Sequence, residues 1–485
     1  MIKLQNDKLA ESMIQQRQYQ KIILSKLKEN FLQGHNTVVE VDTGLGKRVL
    51  AFLLIKDVLS EQRVLLLLHS TISYSETIHY FKVEYGGFRE SEFQAFSSKT
   101  SGWLRYKILD EARVVAATPQ TFANAFNKLP QSKKPKFNVV IINEIDKIVR
   151  RHGDSRLLIF PYNNLIPHFA YSGAWIVGMT GTIRDSHILY NQSKDQIEIQ
   201  PEIVSLDKRI PELHIIRMDT LLAQTDIKNY IQNTYIQRYH VKASPELQTI
   251  LDLIDQGIKD LRQLIIDETM EQHPTLLETI PSSQVALVSG MLESGNTQKY
   301  QGLLLIRKYC TAMQPKKFRK FLFRLKKFGI TKDLIYDLPE YNAKIDKVLE
   351  LIKKQPQNSK TVVLCSFLDT AQKLEDEIQQ IGVTTFQVTG QVRNKISVLN
   401  KFKEIEEKAV LVMTAVGERD IDLPQANLLI VYDVVNTVKT MYQRFKRTRG
   451  GLVLCLCYKK TFEEQKVNRL LQEISKRYPW SSIIE

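Results

Sequence analysis

The sequence predicts an α/β protein in which two parallel-sheet lobes flank an all-helical insert. Short apolar, β-rich runs alternate with helical stretches through about the first two hundred residues; the alternation is lost from about Pro211 to Leu338 and returns after about Tyr341. Such alternation marks a parallel sheet covered on both faces, because parallel strands need crossovers long enough to hold a helix. The expected boundaries are residues 1–210, 211–340 and 341–485.

Strands are expected at Thr37–Val41, Arg63–Leu68, Arg113–Ala117, Asn138–Ile142 and Ala174–Val177 in the first lobe. In the middle section Leu247, Ile250, Leu251 and Ile254, then Ile258, Leu261, Leu264 and Ile265, recur at helical spacing. The last lobe offers strands at Thr361–Cys365, Thr384–Val388, Ala409–Met413, Leu428–Tyr432 and Leu452–Cys457. Parallel sheets bind ligands beyond the carboxyl ends of their strands, so function is expected there.

Composition narrows the classes. With 485 residues, 43% hydrophobic and 25% charged, the chain has material for real cores, which excludes disordered, collagen-like and disulfide-scaffold classes. Apolar runs such as Val64–Leu68 are too short to cross a bilayer, and Met1–Asn6 leads into no signal-peptide core. An unexported chain is expected, cytoplasmic or nuclear, with no membrane partner. Cys310, Cys365, Cys455 and Cys457 lack the paired spacing of a zinc site, so no structural metal is expected. The 68 Lys+Arg against 53 Asp+Glu give a net charge of +15. Its sign favours a polyanionic partner through counterion release, and a merely solvating basic surface fits it equally well.

One basic stretch stands out near the end of the middle section. From Lys316 to Lys327, basic residues including Lys316, Lys317, Arg319 and Lys320 interleave with Phe318, Phe321 and Phe323. Such a segment can place its cations on phosphates while the rings pack inward or meet bases. An ordinary amphipathic helix with a solvated basic face is the competing reading.

The strongest local signal is Val41-Asp42-Thr43-Gly44-Leu45-Gly46-Lys47-Arg48, between an expected strand and the helical stretch Val49–Leu59. In a phosphate-binding loop, glycines let backbone N–H groups converge on phosphate oxygens at a helix start, and a lysine reaches the terminal phosphates. Gly44, Gly46 and Lys47 fit those roles. The pattern ordinarily ends in Ser or Thr, a Mg²⁺ ligand, and here Arg48 stands there. A second signal is Val139–Asp146, an apolar strand emptying into acidic residues. In nucleotide hydrolases an Asp at that strand end helps hold Mg²⁺, and the adjacent Glu acts on the attacking water. Glu144 is available for the second task, and Asn143 replaces the Asp. A solvated acidic loop is the bland alternative.

In this order, the two elements resemble superfamily 2 helicases, and other segments narrow the resemblance to the Hef and Fanconi-anaemia M-type group, related to the helicase core of the RIG-I-like receptors. Arg17-Gln18-Tyr19-Gln20 resembles the adenine-recognition element, and Thr118-Pro119-Gln120 an element touching the nucleic-acid backbone. Gly178-Met179-Thr180-Gly181-Thr182 is similar to the segment coupling nucleotide state to strand movement, through Thr180 and Thr182. Gly390, Gln391 and Thr414 fall in elements similar to those touching nucleic acid, and Asp422 in one lining the ATP cleft. Gln443-Arg444-Phe445-Lys446-Arg447 resembles the arginine-finger element, with Gln443 and Arg447 as its working residues. Tyr478–Ser482 is similar to the end of the Hef helicase core.

The resemblance implies two RecA-like domains with ATP bound between them, Arg17, Gln20, Thr43 and Arg48 joining the loop glycines and Lys47 around it, and Glu144, Gln443 and Arg447 as the catalytic set. It implies a nucleic-acid-binding insert, with forked, branched or duplex DNA as partner; RNA also stays open, since related cores include RNA sensors. No nuclease domain follows Glu485, so no strand cleavage is expected. Several positions depart from the pattern: Asp420 and Lys446 replace glycines, and Gly450 stands where relatives carry a second arginine. Arg48 with neutral Asn143 carries the net charge of a Mg²⁺–Asp pair, so the expectation is that Arg48 sits near the usual metal position and allows ATP to bind without Mg²⁺. Three functional readings follow: a DNA-binding helicase-fold protein with a degraded motor, an active ATP-driven DNA helicase or translocase in repair, and a non-catalytic scaffold for a helicase, nuclease or other repair or replication partner.

Overall fold

The computed structural model describes residues 14–149, 161–181, 183–191, 196–272, 296–324, 342–392, 394–414, 426–435, 437–446, 451–480 and 483–484. The chain divides into two compact units, one comprising 1–186 with 201–231, the other 187–200 with 232–485.

The strands, in chain order, are β1 (Asn36–Glu40), β2 (Val64–Leu67), β3 (Phe93–Ala95), β4 (Val114–Ala117), β5 (Val139–Asn143), β6 (Trp175–Thr180), β7 (Ser186–Asn191), β8 (Gln196–Pro201), β9 (Leu213–Ile216), β10 (Thr234–Val241), β11 (Lys360–Cys365), β12 (Thr384–Val388), β13 (Ala409–Thr414), β14 (Leu428–Val431), β15 (Leu452–Tyr458) and β16 (Ile483–Ile484). The first unit is built on a parallel sheet of order β3-β4-β2-β5-β6-β1-β9. Its helices are α1 (Gln18–Gln33), α2 (Lys47–Leu53), α3 (Thr71–His79), α4 (Gly102–Glu111), α5 (Pro119–Phe126), α6 (Pro161–Tyr171), α7 (Glu202–Asp207) and α8 (Met218–Gln224). Val64–Leu67 and Val114–Ala117 are buried along their whole length, as expected of strands covered on both faces.

The second unit repeats the plan, with a parallel sheet of order β12-β13-β11-β14-β15-β10-β16. Its helices are α9 (Pro245–Gln272), α10 (Thr297–Ala312), α11 (Pro315–Arg324), α12 (Ala343–Lys353), α13 (Leu368–Gln380), α14 (Lys395–Glu404), α15 (Val438–Phe445) and α16 (Phe462–Arg477). The helices α9 to α11 are the middle section read as helical, and Leu247, Ile250, Leu251, Ile254 and Ile258 form one apolar stripe in their core with Ile306, Phe318 and Leu322.

The middle section is not wholly helical, however. β9 adds an edge strand to the first sheet and β10 pairs with β15 in the second. Both are half-exposed and mixed in polarity: β9 buries only Ile216, and β10 is Thr-Tyr-Ile-Gln-Arg-Tyr-His-Val. Neither gives the continuous buried apolar run of β2 or β4. No helix among the described residues is long and apolar enough to cross a membrane.

Candidate nucleotide site and nucleic-acid surfaces

In the first unit, β1 runs out at Glu40 and the chain turns through Asp42–Gly46 into α2, whose first residue is Lys47. Gly44 and Gly46 sit at φ of 87° and 77°, left-handed conformations that side chains resist, so the tight turn requires glycine there. A Cβ at Gly46 would also come 3.0 Å from Gln20 Nε2, so the loop packs directly on the predicted adenine-recognition element. Gln20 is buried, and its Oε1 accepts from the Arg17 backbone N–H at 3.0 Å.

Tyr19 fixes the loop from beneath. Fully buried, it donates its hydroxyl to the Leu45 carbonyl at 2.7 Å and packs its ring 5.3 Å from that of Tyr230. Burial pushes its phenol pKa up against the pull of Arg17, so it remains a neutral donor. Arg17 lies over the Tyr230 ring at 4.4 Å and reaches the Tyr19 hydroxyl at 3.4 Å.

Lys47 Nζ donates to the Val41 carbonyl at 3.2 Å, and a Cβ on Gly181 would lie 3.2 Å from Lys47 Nζ and 3.3 Å from Thr43 Oγ1. The segment after β6 therefore lies against the loop, and Gly181 keeps that approach open. The Thr43 N–H donates to Asp42 Oδ1 at 2.7 Å.

The two departures at the metal positions both find partners on α3. Arg48 Nη2 donates to Glu76 Oε2 at 2.8 Å, with its guanidinium 4.6 Å over the Tyr80 ring. Asn143 Nδ2 donates to Ser73 Oγ at 3.2 Å. The charge balance expected from sequence did not include Glu76, which engages Arg48 here.

Glu144 follows β5 with φ of 57°, and its backbone N–H is held by the Met179 carbonyl at 2.8 Å. Asp146 does not solvate a loop: it is fully buried and accepts the Thr180 hydroxyl at 2.9 Å. The acidic strand end and the predicted coupling segment are thus joined side chain to side chain. Thr182 lies outside the described residues.

Thr118 caps α5, accepting from the Thr121 N–H and donating to Thr121 Oγ1 at 2.8 Å; Pro119 occupies the first helical turn. Gln120 is exposed and pairs with Asn124 at 3.0 Å.

In the second unit, Gly390 and Gln391 are exposed just beyond β12, where the Gln391 N–H meets Thr389 Oγ1 at 3.4 Å. Thr414 is the last residue of β13 and is buried. Gln443 sits partly buried on α15. Asp422 and Arg447 lie outside the described residues. On α11, Phe318 is buried and Phe321 packs 4.5 Å from Tyr309, so these two rings turn inward. Lys316, Lys317 and Lys320 are exposed or partly exposed and Arg319 is likewise outside the core.

Sequence reading missed Glu76, Ser73, Tyr80 and Tyr230. Each acts through a contact distant in sequence, on segments with no motif of their own. Asp146 was visible as part of the acidic cluster, but its burial was not.

Comparison with known proteins agrees with this architecture. The family model described as type III restriction enzyme, res subunit, matches residues 13–185, and that of the helicase conserved C-terminal domain matches 343–451. The chain is 22% identical to the "Putative ATP-dependent RNA helicase" of Methanocaldococcus jannaschii over 95% of its own length and 61% of that protein's. With the ATP-dependent DNA helicase mph1 of Sclerotinia sclerotiorum it shares 21% identity over 91% of its length and 39% of the relative's. The chain thus spans about three fifths or less of these two relatives. Among solved structures, the Pyrococcus furiosus Hef helicase domain superposes with a TM-score of 0.58 at 20% identity, covering 94% of this chain and 98% of that one. S. cerevisiae Dbp5 bound to RNA and ADP BeF3 gives 0.52 at 13% identity, covering 95% and 88%. The chain carries a match to the helicase conserved C-terminal domain over residues 343–451 and has the fold of the Hef helicase domain, two RecA-like units as in superfamily 2 helicase cores.

Proposed function

We propose that this chain is a Hef-like, helicase-fold protein that binds duplex or branched DNA, takes ATP at the Thr43–Lys47 loop, and hydrolyses it weakly or not at all. The observation that carries the reading is the contrast within one site. The loop keeps its glycine turn, its lysine and its packing against Gln20 and Gly181, while the two metal positions hold a guanidinium engaged with Glu76 and an amide engaged with Ser73.

A guanidinium has no lone pair for a cation, and a neutral amide supplies no charge. Arg48 and Asn143 therefore do not fit the usual Mg²⁺ donor set. Backbone N–H groups at the start of α2, with Lys47, would hold the phosphates, and Glu144 would face the attacking water. What this site lacks is a protein donor set that would fix a metal against the transferred group. DNA affinity would come from phosphate contacts, including those of Lys316, Lys317, Arg319 and Lys320, and would fall steeply with salt. The named relatives include both an RNA and a DNA helicase, so the test compares both nucleic acids.

A second reading, an active ATP-driven translocase, is favoured by the Asp146–Thr180 bond, which joins the acidic strand end to the coupling segment. Phosphate release measured with and without forked DNA or duplex RNA, across Mg²⁺ and chelator, separates the two. Binding of nucleotide and forked DNA with negligible turnover supports the first reading. Robust Mg²⁺-dependent turnover, stimulated by nucleic acid and abolished by Lys47→Ala, overturns it in favour of the second.

A further inference from the structure

The two departures from the usual nucleotide-hydrolase pattern converge on one helix. Ser73, which receives Asn143, and Glu76, which receives Arg48, stand three positions apart on α3 and so share a face one turn apart. A Ser or Thr at position 48 is too short to approach Glu76 as Arg48 does. The Arg48 and Glu76 side chains are only 21% and 15% exposed, so the ion pair lies mostly out of water and is screened little by salt. Tyr80 beneath the guanidinium fixes its plane.

A planar guanidinium fork fits a carboxylate and a phosphate equally well, so Glu76 and a nucleotide's phosphates are rivals for the same donor. We propose that Glu76 is a specificity-determining residue of the nucleotide site: its carboxylate holds Arg48 on α3, and metal-free nucleotide recruits Arg48 only by displacing Glu76. This rests on the reading that the Thr43–Lys47 loop holds nucleotide phosphates. Displacement parts Glu76 from the Arg48 guanidinium beside added negative charge, which disfavours a bare polyphosphate. A divalent ion arriving with the nucleotide offsets that charge, so Glu76 selects for the metal-complexed form without a dedicated protein ligand set.

The test is titration of a fluorescent ATP analogue into the full chain, with chelator and with Mg²⁺. Glu76→Gln keeps the side chain's shape and an acceptor for Arg48 while removing the charge. Binding in chelator is expected to tighten about tenfold, with less than about twofold change in Mg²⁺. In an Arg48→Thr background the gain from Glu76→Gln in chelator should shrink below about twofold, since no guanidinium remains to be released. Circular-dichroism melting of each variant confirms that it is folded. An equal gain in both backgrounds overturns the proposal, because Glu76 would then act without Arg48. Binding that Lys47→Ala abolishes but Glu76→Gln leaves unchanged in chelator overturns this inference alone. Absence of binding in every form, wild type included, overturns both the inference and the nucleotide-binding reading beneath it.

Discussion

Thr180 donates its hydroxyl to the carboxylate of Asp146 at 2.9 Å, and both side chains are completely shielded from solvent. The bond crosses from the end of β6 to the turn after β5. It ties the stretch that lies against the phosphate loop to the turn that carries Glu144. Removing the donor weakens the solvation of a buried carboxylate, which costs about 1–3 kcal/mol. Thr180→Val should lower the first unit's stability by that amount in a denaturant titration, whereas Thr180→Ser, which keeps the hydroxyl, should recover most of it.

Under the proposed DNA-binding reading, the cations of α11 serve affinity and its buried rings serve folding. Lys316, Lys317 and Lys320 lie outside the core, while Phe318 is 2% exposed. Replacing Lys316, Lys317, Arg319 and Lys320 with alanine should leave melting nearly unchanged. It should flatten the plot of log DNA affinity against log salt by about 0.9 for each phosphate that is no longer neutralised. Phe318→Ala should do the reverse, destabilising the second unit by about 3–5 kcal/mol through the cavity it leaves.

An ion pair is sealed inside the second unit. Lys344 Nζ reaches Glu463 Oε1 at 2.8 Å and the Tyr432 carbonyl at 3.2 Å, and Glu463 Oε2 accepts the Tyr458 N–H at 3.0 Å. Glu463→Gln strands the lysine charge out of water and should cost about 3–5 kcal/mol. A Lys344→Met/Glu463→Leu double variant should be far less damaged than either single change, as read from urea midpoints.

Lys466 gives the second unit a pH signature. Burial, with repulsion from Lys308, Arg469 and Arg307, lowers its pKa to about 8. Between that value and the ordinary lysine pKa near 10.4, the unfolded chain holds the proton and the folded one has released it. The unfolded state then binds more protons, so stability rises with pH across that interval, and below about 8 the full penalty of a charged, crowded lysine applies. Melting of Lys466→Met should show a higher midpoint at neutral pH and lose this alkaline rise.

The central strands of both sheets were legible because a strand buried on both faces leaves an unbroken apolar run, as in Val64–Leu67 and Ala409–Thr414. β9 and β10 were not, because their mixed polarity reflects partial exposure rather than a helix. The glycine turn between β1 and α2 was legible down to Gly44 and Gly46, since the left-handed backbone there dictates them. The partners of Arg48 and Asn143 were invisible: Ser73 and Glu76 lie on a helix, Thr-Ile-Ser-Tyr-Ser-Glu-Thr-Ile-His, whose sequence carries no sign that its polar face turns toward β5 and the start of α2. Asp146 was legible only as part of the acidic cluster, and its burial against Thr180 is what sets aside plain loop solvation.

Tyr230 has a practical bearing on how the chain can be cut. It packs on the tyrosine that pins the phosphate loop and carries the Arg17 guanidinium on its ring, although about two hundred residues of sequence separate the partners. Arg184 is likewise clasped by Glu40 at the end of β1 and by Asp219 of α8. An N-terminal fragment ended where the β-rich runs first thin out would forfeit β9, Asp219 and Tyr230 together, and would purify with a slack, poorly seated Thr43–Lys47 loop. Excision at residue 231 preserves the whole clasp.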